Sequence, residues 1–460
     1  MNRRSILKLG LGALAGSGGY AGYRLLLPAP SREREPVDVL ARRFYASLDG
    51  PQRAETCVGY DHPLRQYHNR GVWGGGRAVF SGFSRAQRQV VTDLFYSGLS
   101  EEGQRRVPHE YFTRLTGVNT MRVLISGDPT SGPYQVILTG AHLNLRVGGK
   151  SSEGAAFGGP QVYGDQRGNE IAGLPGNLYR DQFLAFERLL RSLDDGRRKQ
   201  ARLEAAPVQT MIELRGRRAS QAGLRAAELP PAGKAMLGEL VLGILSIYPP
   251  ADVAYARECL AANGGTDALF LSHYAHGEDG EIPEGQVFRL EGPAAVFYFR
   301  GYPHVHAFVN VAMDGDAPLS VGEPLGTNPE WLEAKGVKAL FETALRCETR
   351  ADIGYYDEGS VAGRLRPGLV RSGDIYSLES WQEKTEVALI RGSNLSAVLQ
   401  ESLRSRGIVA HADKLYSVAT TAYVAGTDKL GRVQSRRPGT LLRDLTIAHL
   451  RSRGFSNALA

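Results

Sequence analysis

Three histidines carry the clearest hint of chemistry: His142, His304 and His306. Residues i and i+2 of a strand face the same side, so a strand over residues 303–312 projects His304 and His306 together. Imidazole is the commonest metal ligand, and a His-x-His strand is one recurring way to present two of them. His142 sits in an apolar strand, between Ala141 and Leu143. If that strand, 135–145, lies close to 303–312, His142 supplies a third ligand. Glu153, Asp165, Glu170 and Glu187 are the carboxylates near enough in sequence to compete for a fourth place. Zinc, copper or iron suits such a set. The opposing expectation is three separate histidines, each packed in its own strand. His273 and His276 form a second pair, read as part of a solvated loop beside Glu278 and Asp279. The run Gly148-Gly149-Lys150-Ser151-Ser152 imitates a phosphate loop. Leu143 stands where the motif needs its first glycine, and no helix follows at once, so that reading is rejected.

The elements that must position these groups alternate in type. Helical periodicity marks residues 37–44 and 84–95, the second with Ser84 as N-cap. Strands are expected over 121–126 and 134–145, separated by a Gly/Pro/Asp turn at 127–133. A Gly-rich loop spans 148–176. A long amphipathic helix follows over 180–202, with Phe183, Phe186, Leu189, Leu190 and Leu193 on one side. Pro230-Pro231 precedes a helix at 235–247, and another is expected at 253–263. Strands follow around 287–290, 295–300 and 306–312. The stretch 314–329 is rich in Gly, Pro and Asp and reads as a domain boundary.

The chain has 460 residues, enough for two or three domains, and its 42% hydrophobic content is that of a globular protein. The formal charge is +7, and Arg3, Arg4, Lys8 and Arg24 contribute to it at the start. The remainder is only mildly basic, which does not suggest nucleic acid. Cys57, Cys259 and Cys347 allow one disulfide at most, and no CxxC exists for a thiolate zinc site. Arg3-Arg4 precedes an apolar, glycine-rich run over 9–27, which reads as a targeting segment rather than part of the fold. Asn2-Arg3-Arg4-Ser5-Ile6-Leu7-Lys8 resembles the twin-arginine export signal, with Asn for the usual Ser or Thr and Ile for Phe. The resemblance implies recognition of Arg3 and Arg4 by the twin-arginine translocation machinery, and a periplasmic destination reached already folded. No standard cleavage site follows, so retention as an inner-membrane anchor is the alternative, although Arg24 interrupts the run.

Several pieces occur in the order of one bacterial family. Gly82-Phe83-Ser84-Arg85-Ala86-Gln87-Arg88 opens a helix that ends at Gly98-Leu99-Ser100. Gly140-Ala141-His142-Leu143-Asn144-Leu145 is similar to a Gly-His-His-Leu-Ser-Leu element, with Ala141 in place of the first histidine. The helix over 180–202 and Gly301-Tyr302-Pro303-His304-Val305-His306 complete the set. Residues 57–312 thereby resemble domain of unknown function 3500, a family without agreed chemistry.

The C-terminal part carries a second set. Asp352 to Val361, Gly368 to Ser377, residues 387–399, Tyr416 to Tyr423 and Gly426-Thr427-Asp428 follow one another with consistent spacing. Residues 337–455 resemble the C-terminal, substrate-holding domain of periplasmic 5′-nucleotidases. Asp357, Trp381, Tyr423 and Asp428 are expected along a ligand cleft facing the first domain, since ligand sites commonly form between domains; the opposing expectation is that Trp381 and Tyr423 are core aromatics. The departures weaken nucleotide binding. Ala362 replaces the substrate-contacting arginine, with Arg364 two residues on; Ser380-Trp381 replaces Pro-Phe; Thr385 replaces the first stacking aromatic. Each ring stacked on a base contributes about 1–3 kcal/mol, so such losses leave little affinity. The metal-binding Asp-x-His and Gly-Asn-His-Glu motifs of the catalytic half are absent from the sequence.

These readings combine into a mixed α/β protein with two domains after a signal: 1–30 the signal, 31–330 the unknown-function domain, 337–460 the nucleotidase-like domain. The expected function is that of an exported, metal-dependent enzyme, a hydrolase, acting on a small molecule that the sequence does not name. Its C-terminal domain would help to close over substrate. The alternatives are a non-enzymatic metal or small-ligand binding protein, and a copper or iron redox protein.

Overall fold

The structure is a computed structural model. It describes residues 35–66, 76–106, 121–140, 143–148, 154–165, 179–207, 214, 216–217, 220–277, 280–302, 305–316, 321–379 and 381–455. The chain divides into two compact units, one within residues 24–319 and the other within 320–460. Both mix helices with sheet, so the α/β class holds.

The first unit is built on one large sheet. Its main strands are Arg122–Gly127 (β1), Tyr134–Gly140 (β2), Leu143–Val147 (β3), Gln161–Asp165 (β4), Phe270–Gly277 (β5), Val287–Gly292 (β6), Ala295–Arg300 (β7) and Val305–Val311 (β8). Their order across the sheet is β1-β2-β3-β4-β8-β7-β6-β5, every neighbour antiparallel. β4 therefore pairs with β8, although some 140 residues separate them in the chain. The central strands are buried on both faces, which explains runs such as Ala295-Val296-Phe297-Tyr298-Phe299. Ala295, Phe297 and Phe299 point into the larger core, Val296 and Tyr298 into a smaller one opposite.

Helices fill the larger core. Arg85–Ser97 starts at Ser84, whose hydroxyl accepts from Gln87 N while Gln87 Oε1 accepts from Ser84 N. Such a reciprocal cap stabilises a helix start by about 1 kcal/mol. The expected long helix over 180–202 is two helices, Arg180–Arg191 and Asp195–Ala201. The break falls at Asp194, whose carboxylate accepts from Arg197 N at 2.9 Å and so starts a new helix. Phe186 of the first helix stacks on Phe288 of β6 at 4.0 Å. Pro231 occupies the first turn of Pro231–Leu245, so that helix begins four residues earlier than 235.

The second unit has a four-stranded sheet of Ile353–Gly354 (β9), Lys384–Leu395 (β10), Leu415–Thr421 (β11) and Gly431–Leu441 (β12), in the order β9-β11-β10-β12. Helices Ala334–Thr349 and Leu442–Arg453 supply Val337, Leu340, Phe341 and Leu450 to one core; Leu399 and Leu403 of Ala397–Arg404 supply another. Among the described residues no helix is long and apolar enough to cross a membrane, and residues 1–34 lie outside them. Cys57, Cys259 and Cys347 are all free thiols.

Candidate functional site

Strand alternation sorts the first unit's side chains onto two faces. Tyr134, Val136 and Leu138 of β2, Leu143, Leu145 and Val147 of β3, and Val305, Val309 and Val311 of β8 belong to the larger core. The residues between them point the other way: Gln135, Ile137 and Thr139, Asn144 and Arg146, and His306, Phe308 and Asn310, a mixed face in which polar groups sit among the smaller core. Arg289 and Glu291 of β6 join them, because Phe288 and Leu290 face the larger core. All of these polar residues are less than a tenth exposed. Polar side chains belong on sheet faces that meet water, so a buried polar face marks a place where something other than packing sets the sequence. Part of it is satisfied internally. Arg289 Nη2 donates to Glu291 Oε1 at 2.9 Å, and its Nε lies 2.9 Å from Oε2.

His306 sits on this face, opposite Arg300 of β7 and Gly164 of β4, with its ring 6.0 Å from that of Phe308. The other neighbour of β4 is β3, where Leu143 pairs with Tyr163 and Asn144 with Val162. β3 thus begins one residue after His142, and glycine gives β4 no side chain beside His306. His142 and His304 lie outside the described residues, as do Glu153, Glu170 and the side chain of Asp165. Glu187 is on helix Arg180–Arg191 and accepts from Arg191 at 2.7 Å. Among the described residues no group of three or more His, Cys, Asp or Glu is arranged to hold a metal ion.

The second histidine pair is not in a loop. His273 and His276 are both on β5, at a spacing that sends them to opposite faces. His273 is buried, and burial is the main cause of its lowered pKa, which keeps the imidazole neutral. His276 is half exposed, with Nδ1 3.1 Å from Glu204. The two cannot share one ion. Glu278 and Asp279 lie outside the described residues.

In the second unit, three of the four sequence-chosen ligand residues are joined by a chain of bonds. Lys429 Nζ donates to Asp357 at 2.6 Å. Burial pulls the Lys429 pKa down, but the bond to Asp357 more than reverses this, and the net shift is upward. Asp357 O accepts from Ser360 N, and Ser360 O accepts from Trp381 Nε1 at 3.1 Å. Glu379 Oε1 accepts from both Trp381 N (3.2 Å) and Glu383 N (3.3 Å). Glu383 Oε2 then accepts from Tyr423 N at 3.3 Å, which satisfies a donor at the start of the short helix Ala422–Ala425. Trp381 and Tyr423 are both only partly buried, so neither is a pure core aromatic. Asp428 is exposed in the turn before β12, where its backbone oxygen accepts from Gly431 N.

Sequence reading missed Glu379, Glu383, Lys429 and Arg443. Glu379 is wholly buried, and burial pushes its carboxyl up to about 8. Its Oε2 has no hydrogen-bond partner among the described residues. Arg443 is close enough to temper that shift, and its guanidinium stacks 4.1 Å over the Tyr376 ring. The spacing of Glu379 and Glu383 around Trp381 was visible in the sequence; the burial of Glu379 was not.

The positions that depart from the nucleotidase pattern are structural here. Ala362 is buried, with its N–H bonded to Leu378 O. Arg364 pairs with Glu333 at 3.3 Å and stacks 4.0 Å over Trp331. Thr385 is buried and donates to Thr440 O at 3.0 Å. Ser380 lies outside the described residues.

A family model described as protein of unknown function (DUF3500) matches residues 31–309. No curated protein matches the chain. Among solved structures, a 5′-nucleotidase precursor from Thermus thermophilus matches at 10% identity and a TM-score of 0.26, covering 40% of this chain and 51% of that one. A putative 5′-nucleotidase from Staphylococcus aureus, in complex with alpha-ketoglutarate, matches at 11% identity and a TM-score of 0.20, covering 36% of this chain and 48% of that one. The matched part is about half the length of each, and scores this low do not define a common fold.

Proposed function

We propose, for a chain that belongs to the DUF3500 family of proteins of unknown function, that its first unit is an exported metal-dependent enzyme, a hydrolase, with an ion held by His306, His142 and His304. The observation that carries this reading is His306 on the buried polar face, with Gly164 beside it and the start of β3 one strand further on. Strands lie about 4.8 Å apart, so positions two strands apart are about 10 Å apart at Cα. Two imidazoles reach across such a span to one ion at about 2.0–2.1 Å each. A metal there would polarise a substrate oxygen and lower the pKa of a bound water. Thr139 and Asn144 face each other across β2 and β3 on the same side, and they offer uncharged hydrogen-bonding groups to orient a polar substrate.

The second unit is read as a nucleotidase-like ligand module without the catalytic half. The bonds that link Asp357, Trp381 and Tyr423 support a common small-molecule surface there, with Asp428 at its exposed edge. Export through Arg3 and Arg4 is part of the same reading, because that route accepts proteins that load a cofactor before crossing.

Elemental analysis of protein purified from the periplasm tests the metal. The expected result is about one zinc per chain, lowered by each of His142→Ala, His304→Ala and His306→Ala. Copper or iron would redirect the chemistry to redox work. Protein that folds without metal, or metal unchanged in all three variants, would sink the site.

A further inference from the structure

Among the described residues, Arg146 is a buried cation without an acid beside it. Its side chain lies on the polar face of β3, where Nη1 donates to Pro160 O and Nη2 to Arg65 O at 3.2 Å. Arg65 is itself buried, with its guanidinium 3.9 Å over the Tyr60 ring and 3.8 Å from the exposed carboxylate of Asp61. Two guanidinium groups are thus buried together, and no carboxylate among the described residues acts on Arg146. Burial first, and Arg65 second, bring Arg146 down to about 9, so it stays protonated at neutral pH. A buried charge with no counter-charge is strongly unfavourable, and a bound anion is the direct remedy.

A second group points to the same place. Gln135 is buried, its Nε2 donates to Gly158 O at 3.1 Å, and its Oε1 has no partner among the described residues. Ile137 faces Arg146 across β2 and β3, so Gln135 is diagonal to Arg146 on the same face. Both side chains end at the Gly158-Gly159 turn. A Cβ on Gly159 would sit 3.4 Å from Arg146 Nε, in space that glycine leaves open.

We propose that Arg146 and Gln135 form a buried site for one small oxyanion that keeps a proton, hydrogen phosphate being the simplest. The guanidinium supplies charge and donors to the anion oxygens. Gln135 Oε1 accepts the remaining O–H. Sulfate has the same shape and no proton at neutral pH, so it leaves Gln135 Oε1 unsatisfied, a mismatch that polar sites reject strongly. The site is independent of the histidine metal, and removing metal should leave it intact.

Equilibrium dialysis of the full chain against radiolabelled inorganic phosphate, after chelator treatment and at constant ionic strength, tests this. About one phosphate per chain is expected, displaced by arsenate and at least about 100-fold less well by sulfate. Arg146→Met should abolish binding. Because that variant also loses two carbonyl contacts, Gln135→Leu is the second probe: it should bind phosphate and sulfate within a few-fold of each other. No saturable phosphate, equal competition by sulfate in the unmodified protein, or binding that survives Arg146→Met would each overturn the proposal.

Discussion

Glu379 is a carboxyl that the fold holds away from water while one of its oxygens organises the turn carrying Trp381. Burial raises its pKa from 4.5 to about 8. The sign of the consequence follows from linkage: between those values the folded protein keeps a proton that the unfolded chain has released, so stability falls as pH rises through that window and is level above it. Glu379→Gln keeps an acceptor for Trp381 N and Glu383 N and removes the titration. The variant should match the parent near pH 4 and exceed it by on the order of 4 kcal/mol at pH 8, read as the difference in chemical denaturation across a pH series. A gap that does not change with pH would show that the carboxyl is ionised in the folded state. None of this was legible in the sequence. A glutamate two residues from a tryptophan looks like a surface residue until the helices Ser372–Leu378 and Leu442–Arg453 are packed around it. His306 was legible as a strand residue, by its His-x-His spacing, but its place on a buried polar face depends on pairing with β4, which no local pattern encodes.

At the scale of elements, period and capping located most helices and strands, and the errors have identifiable causes. The helix expected over 180–202 breaks because Asp194 caps more strongly than the amphipathic period extends. His273 and His276 were assigned to a loop because the Gly and acidic residues after them outweighed a short strand signal, whereas β6 recruits that segment as a neighbour in the sheet. The turn after β3 depends on glycine for two separable reasons, and these make a prediction. Gly158 has φ +71, and a Cβ there would lie 1.8 Å from Gln135 Nε2. Gly407, which ends helix Ala397–Arg404 with Ile408 N bonded back to Leu403 O, has φ +73 and open space around it. Gly407→Ala carries only the backbone strain of a left-handed residue, about 1 kcal/mol. Gly158→Ala adds displacement of a buried amide and should cost roughly 2–4 kcal/mol. Denaturation midpoints of the two variants separate the effects; equal losses would mean that Gln135 moves aside freely.

At the scale of the whole molecule, the fold constrains the proposed export route. The first unit closes its sheet only when β4 meets β8, across some 140 residues, so its polar face exists only in the nearly complete fold. Long-range antiparallel pairing of this kind forms slowly, and unfolded chain exposes its strand edges while it waits. The histidine site proposed above, drawn from β8 and from the residue before β3, could not hold an ion until that pairing is made. If the proposed metal is loaded before export, passage in the folded state is the economical arrangement, which is the route proposed for the Arg3-Arg4 segment. We predict that Arg3→Lys with Arg4→Lys keeps the chain in the cytoplasm, folded and with its metal, because the change removes the address without touching either unit. Fractionation with elemental analysis of each compartment reads both parts. Replacing residues 1–30 by a signal for unfolded export should give the converse result: chain in the periplasm with metal content well below one per molecule. Normal periplasmic levels of the double-lysine variant would remove the twin-arginine route from the account, and full metal content after unfolded export would remove the reason for it.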